Sequence, residues 1–399
     1  MEKSNFFARK RQEYLALDRI DRRRYWTDGL LNNALYILMA LFIIYTAIKN
    51  PNFVKPGSIV NMIQLAAVSL PMALGIGGCI VLTGTDLSAG RVFGLAAGMS
   101  AAFLQNRAAS KLIFEKLPAT SGGWIIAVML LVMLAGAVIG VVNGFFVAKF
   151  SLHPFIVTLA TQLITYGFIL MFFQINGNGG GPISNVAKEF KDAVSGPCFK
   201  IAAWNVSIPW YVIFALILVV IMWFVWNKTR FGKNMFAVGS NMEAAKVSGV
   251  NVFMTTVLVH TLAGALYGFA GFVEAARLGS VTAATGLNNE CDAIAACVIG
   301  GVSFVGGTGN IGGIVVGVFR PENHLRRTEY AGHQPKSPVH YQGRDHSGGM
   351  LTGYAKVPGK GVNRQRIQSA ITIKPRWAQS HRGLSIFQQL AIPLSQQSD

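Results

Sequence analysis

Charge is scarce in this chain: Asp, Glu, Lys and Arg make up 13% of its 399 residues, about half the share of an ordinary globular domain. With 52% hydrophobic residues beside it, that shortage excludes a freely soluble domain and a disordered chain, and leaves a membrane protein. Acidic residues are scarcer still, 17 against 35 basic, for a net charge of +18. A nucleic-acid partner would have to be argued from residues 320–399, which hold 12 basic and 4 acidic side chains, and no such partner is expected. Cysteine is limited to Cys79, Cys198, Cys291 and Cys297, without metal-ligand spacing. Three of them, all but Cys198, lie in apolar segments where a free thiol acts as a small hydrophobe, so no disulfide is expected. Also missing are G-x-x-x-x-G-K-[ST], H-E-x-x-H and G-x-S-x-G. The expectation is therefore a transport subunit and not an enzyme, with no metal and no cofactor; uphill movement would draw its energy from a partner or an ion gradient.

What is abundant is the apolar run of membrane-crossing length, roughly 20 residues. Such runs fall at 30–48, 58–83, 90–105, 124–149, 155–174, 208–226, 252–273 and 293–319. They predict an all-α polytopic helical bundle of about eight spans, with a membrane domain over 29–319. Residues 1–28 are basic from Lys3 to Arg24 and lack an apolar core followed by a small-residue cleavage site, so no secretory signal is read. Placing the N-terminus inside puts 227–251 and the turn after Lys149 inside as well, as the distribution of Lys and Arg requires. The loop 175–207 then falls outside, with a flexible glycine cluster and room for a short surface helix.

Three glycine ladders run at spacing four: Gly90, Gly94, Gly98; Gly136, Gly140, Gly144; Gly309, Gly313, Gly317. Each puts small residues on one helix face, where a second backbone can approach. They predict tight packing and no particular activity. "LTGTDLSAGR" at 82–91 is more specific, because Asp86 and Arg91 lie at a helix end or break among Thr83, Thr85, Ser88, Gly84 and Gly90. Ionisable groups at membrane depth mark either a pathway or a structural clamp. Asp86, Ser88 and Arg91 are the candidate pathway residues, and the competing reading, Asp86 as a helix cap, carries more weight. Glu274 and Arg277 are spaced to pair on a helix, and such a neutralised pair near the outer surface is expected to be structural; Glu290 and Asp292 follow before the next span. His153 and His260 stand singly, without ligand-spaced partners.

"TRFGKNMFAVGSNMEAAKVSGV" at 229–250 is polar between two apolar runs. "NMEAAKVSG" within it predicts a short helix lying across the inner surface and ended by Gly249. Composition alone is equally consistent with a solvated loop that binds nothing.

Five stretches carry a resemblance: "VLTGTDLSAGR" at 81–91, "GAVIGVVNGFFVA" at 136–148, "PFIVTLAT" at 154–161, "WNKTRFGKNMFAVGSNMEAAKVSGVNV" at 226–252 and "DAIAACVIGGVSFVGGTG" at 292–309. In order across 30–319, they resemble the permeases of bacterial galactose and methyl galactoside ABC importers, within the ribose-type sugar permeases. The resemblance implies about ten spans in an intact member, a place in the bacterial inner membrane, and inward movement of galactose or its glycosides. It also implies three partners: a cytoplasmic ABC ATPase, a periplasmic sugar-binding protein and a second permease copy. The family's docking loop for the ATPase corresponds to Asn241, Glu243, Ala244, Ala245 and Gly249. Gly239-Ser240 stands where the family commonly has two glycines. The competing classes are an ion-coupled secondary transporter or channel, and a non-functional product.

After "GGIVVGVF" at 312–319 the likeness stops, and 320–399 is a basic tail without helical or strand periodicity, expected to be disordered. Reading one base later, codon degeneracy permits an apolar, family-like span over 337–357. The expectation is a frame-shifted ending that impairs assembly by leaving the glycine face 309–317 against lipid. Sequencing codons 310–360 tests it: polar residues or early stops in the shifted frame end the idea.

Overall fold

The computed structural model describes residues 34–49, 51–109, 112–201 and 206–319, with positions 18, 21 and 27. The tail with its frame-shift reading, and most of the basic N-terminal segment, lie outside the described residues. The helices are α1 (Ala34–Lys49), α2 (Pro56–Val81), α3 (Ala89–Phe103), α4 (Gly122–Phe150), α5 (Pro154–Phe172), α6 (Lys188–Ser195), α7 (Trp210–Lys228), α8 (Arg230–Ser240), α9 (Met242–Val247), α10 (Val252–Leu278), α11 (Asn289–Ile299) and α12 (Ile311–Val318). Five of them, α2, α4, α5, α7 and α10, are long and apolar enough to cross a membrane. The all-α polytopic bundle is as the apolar runs predict.

Helices α2 and α10 are the core, two-thirds buried in their most apolar stretches, whereas α4, α5 and α7 bury only about a quarter of theirs. Leu130, Leu134, Leu163, Ile164, Leu216 and Val220 stay exposed on these outer helices, which suits acyl chains and not water. Boundaries follow from local chemistry. Pro starts α2 and α5, where its missing N–H costs nothing. Ser121, Thr229, Asn241, Asn251 and Asn310 accept hydrogen bonds from the first turns of α4, α8, α9, α10 and α12.

The glycine ladder of α4 makes the closest packing. A side chain at Gly136 would strike the Gly264 carbonyl of α10, one at Gly140 the His260 carbonyl, and one at Gly144 the Val257 backbone. The contact is reciprocal, since a side chain on Gly264 would strike Gly136.

Two expectations change. The run 293–319 is not one span: α11 and α12 are short helices joined by a hairpin over 300–310. Gly300 lies against Gly313, and Gly317 against the Ala296 carbonyl. Gly313 and Gly317 are thus covered by α11, and Gly309 abuts Val81 and Val302; the glycine face is not left for lipid. The 175–207 loop does contain the short helix α6, and it adds an antiparallel pair, β1 (Pro197–Ile201) with β2 (Val206–Pro209). Gln64 near the start of α2 donates to the Ser207 carbonyl at 3.0 Å, so this hairpin and the first turns of α2 share one end of the bundle.

Candidate functional site

At the opposite end lie α8 and α9, a pair where the sequence suggested one helix. Thr229 caps α8 through the Gly232 N–H at 3.2 Å. Asn241 caps α9 through the Ala244 N–H at 2.9 Å. Gly249 sits at φ +81°, the left-handed stop expected of it. Of the docking residues named from sequence, Asn241, Glu243, Ala244 and Gly249 are exposed and Ala245 is buried. Ala245 is therefore the anchor that seats α9. The outward face holds Met242, Glu243 and Ala244 beside Val247, which is 90% exposed. The 3.3 Å Glu243–Lys246 pair is exposed on both sides and contributes little to stability.

The α8–α9 pair meets the rest of the bundle through buried Met235, Val238 and Ala245 and, at the end of α8, backbone to backbone. Gly239, at the end of α8, lies against the Val81 carbonyl at the end of α2. The Gly307 N–H of the 300–310 hairpin donates to the same carbonyl at 2.9 Å. Gly306 and Gly307 take positive φ values to allow this, and Gly307 rests on Ser240.

From Val81 the chain enters the 82–88 loop, with Thr83 at φ +67°, a conformation uncommon for a β-branched residue. Asp86, 1% exposed, accepts from the Ser88 N–H at 2.9 Å and hydroxyl at 2.6 Å, and from the Tyr267 hydroxyl at 3.3 Å. Asn143 of α4 donates to Ser88 Oγ at 3.0 Å, and Thr161 of α5 donates to Asn143 at 2.6 Å. One buried carboxylate thus ties the loop to α4, α5 and α10. The cap is local, received from Ser88 and not from deeper in α3.

Arg91 does not pair with Asp86. Its guanidinium stacks 4.1 Å from the Tyr166 ring centroid and donates to the Ala283 carbonyl at 3.4 Å. Gln162 donates to Glu290 Oε1 at 3.3 Å, while Glu290 Oε2 is buried with no hydrogen-bond partner. A side chain on Gly90 would strike Glu290, and one on Gly94 the Thr285 carbonyl. Glu290 therefore lies against the first turn of α3. Glu274 and Arg277 do pair, at 2.6 and 2.7 Å. His260 is buried with Nδ1 3.0 Å from the Thr256 carbonyl, and His153 Nδ1 accepts from Phe155 N–H at 3.3 Å. All four cysteines are free, and Cys291, read as lying in an apolar segment, is exposed.

Sequence reasoning missed Asn143, Thr161 and Tyr267, which read as ordinary members of apolar helices. A polar residue within such a run is the only signal they carried.

Residues 58–320 match the family described as "Branched-chain amino acid transport system / permease component". The chain is similar to the galactose/methyl galactoside import permease of Haemophilus influenzae, 41% identical over 73% of this chain and 84% of that protein. It is 40% identical to the Escherichia coli protein of the same description over 76% of this chain and 87% of that one. The ribose import permease of Bacillus subtilis is 30% identical over 75% of this chain and 85% of its own length. No solved structure matches.

Proposed function

The chain belongs to the branched-chain amino acid transport system permease family, transport components and not enzymes, and from that premise we propose that it translocates galactose or methyl galactosides inward as the membrane subunit of an ABC importer. The observation that carries the substrate is the roughly even 40% identity to galactose permeases across three-quarters of the chain, against 30% to the ribose permease. Sugar is thereby favoured over the amino acids of the family's title.

Energy enters at α9. Asn241, Glu243 and Ala244 face a cytoplasmic ATPase, Ala245 and Gly249 hold the helix in place, and the N-terminus lies on the same side in the bacterial inner membrane. The exposed Met242 and Val247 support a protein partner here, because apolar side chains on a six-residue surface helix gain from being covered. A periplasmic sugar-binding protein docks at the end that carries β1 and β2, and a second copy completes the pathway. Asp86 and Ser88, saturated with internal partners, act as a clamp between helices; Arg91 belongs to the pathway side. The tail beyond residue 320 lies outside the family match, and loss of the family's remaining spans there, not an uncovered glycine face, is what would lower assembly.

Uptake of labelled galactose by a permease-deleted strain expressing this chain with its ATPase and binding protein tests the reading. Import that depends on the ATPase supports it. Import that follows an ion gradient without the ATPase overturns it in favour of a secondary transporter. Rescue at the full rate of an intact relative refutes the impairment ascribed to the tail.

A further inference from the structure

Helix α5 has 19 residues, about 28 Å at 1.5 Å per residue, close to the ~30 Å hydrocarbon thickness. Gln162 and Tyr166 lie about 12 and 18 Å along it from Pro154, near mid-depth. Arg91 on Tyr166 and Glu290 on Gln162 share that depth. So does the non-helical segment 282–288, held by Arg91 through the Ala283 carbonyl and by the close contact of Gly286 with Gly90. Irregular backbone at such a depth is tolerated where it is buried in protein or lines water, and not against lipid.

This segment is not buried. Thr282, Ala284, Leu287, Asn288, Cys291 and Asp292 are exposed, as is Tyr166, which Arg91 links to Ala283. Asn288 is held at φ +63° and starts α11. The edge offers an amide that both donates and accepts, a carboxylate, and an aromatic ring. Behind it Glu290 Oε2 is a spare acceptor. Arg91 and Glu290 supply one charge of each sign, which favours a neutral solute over an ion of either sign.

We propose that the 282–292 edge, backed by Arg91, Gln162 and Glu290, is the water-facing rung of the translocation pathway at which the hydroxyls of a neutral sugar are received. Aliphatic C–H faces of the sugar pass Tyr166 while its hydroxyls exchange water for Asn288 and the carboxylates. The proposal identifies the contacts for the sugar-permease reading above and rests on it for the choice of ligand. It also separates the pathway from the Asp86 clamp, whose groups are occupied.

The chain carries its own probe. In a C198S background, Cys291 is the one exposed thiol, since Cys79 and Cys297 are buried. Membrane vesicles containing the full chain are treated with a membrane-impermeant cationic methanethiosulfonate, and the Cys291 peptide is read by mass spectrometry. Modification of Cys291 is expected; an unmodified Cys291 that reacts after denaturation means lipid or a dry subunit contact, and overturns the proposal. The sugar contact is read in the complex reconstituted with its ATPase and binding protein, as galactose moved per ATP hydrolysed, a ratio insensitive to how much complex assembles. N288A, at an exposed position, and E290Q are each expected to lower it about tenfold, and an unchanged ratio in both removes the sugar from this edge. A wild-type complex that moves no galactose while Cys291 still reacts refutes the galactose reading and leaves the water-facing edge standing.

Discussion

The tightest constraints are single atoms. Gly140 tolerates no side chain because the His260 carbonyl of α10 occupies the place of its Cβ, so a branched residue there must push two core helices apart. G140V is expected to cost roughly 1–3 kcal/mol, the usual range for overpacking. The measurement is the thermal midpoint of the detergent-solubilised protein, with G122A as a control at a position open to space. Asp86 works the other way, by attraction. D86A leaves the Ser88 amide and the Tyr267 hydroxyl without their acceptor, a loss of about 1–3 kcal/mol for buried groups. Y267F removes one long bond and should cost about 1 kcal/mol or less; equal effects of the two variants would argue against Asp86 as the hub. The importance of Asp86 was legible because a lone carboxylate in an apolar run stands out. The network around it was not, since Tyr267, which reaches Asp86, and Asn143 and Thr161, which reach it through Ser88, come from three helices distant in sequence, and only folding brings them together.

At the scale of elements, α9 depends on one cap and one anchor. N241A should weaken the helix by about 1 kcal/mol and lower sugar-stimulated ATP hydrolysis in the complex without changing the amount of permease in the membrane. Cysteine at Val247, 90% exposed, is expected to crosslink to the ATPase, whereas cysteine at the buried Ala245 should not. Capture at both or at neither would contradict the docking face assigned to this helix. The helix was readable from "NMEAAKVSG" because a cap, a small amphipathic stretch and a terminal glycine are local signals. Separation of α11 from α12 was not readable. Residues 293–319 are apolar nearly throughout, with only Gly300, Gly301 and the 306–309 cluster to suggest a break, and what fixes the hairpin is a bond from Gly307 to Val81, a partner no window of sequence contains. Replacing Gly313 by Leu, whose side chain would enter Gly300, should splay the two short helices and raise proteolysis in the 300–310 hairpin.

For the whole molecule, composition sufficed to give an all-α membrane bundle, because the bilayer admits few other solutions. Composition did not show which helices form the centre: α2 and α10 are the less apolar of the long five, and they are the buried ones. Burial in such a protein follows small residues that let backbones close up, while the greasiest helices, α4 and α7, line the outside. Mutating Leu134 or Val220 to Ala on that outer surface should therefore change stability by only a few tenths of a kcal/mol, within the ±0.5 kcal/mol typical of non-core sites, as read from the same thermal midpoint. The join among Val81, Gly239 and Gly307 has a different significance. At Gly239, the last turn of α8, the main chains of α2 and the hairpin abut with no side chain between them, so a displacement of α8 carried there from α9 has little slack to be absorbed in. A nudge at the base of the molecule is geared straight into the Asp86 loop on one side and the hairpin beneath α11 on the other, and play in that linkage is the one thing its glycines do not supply.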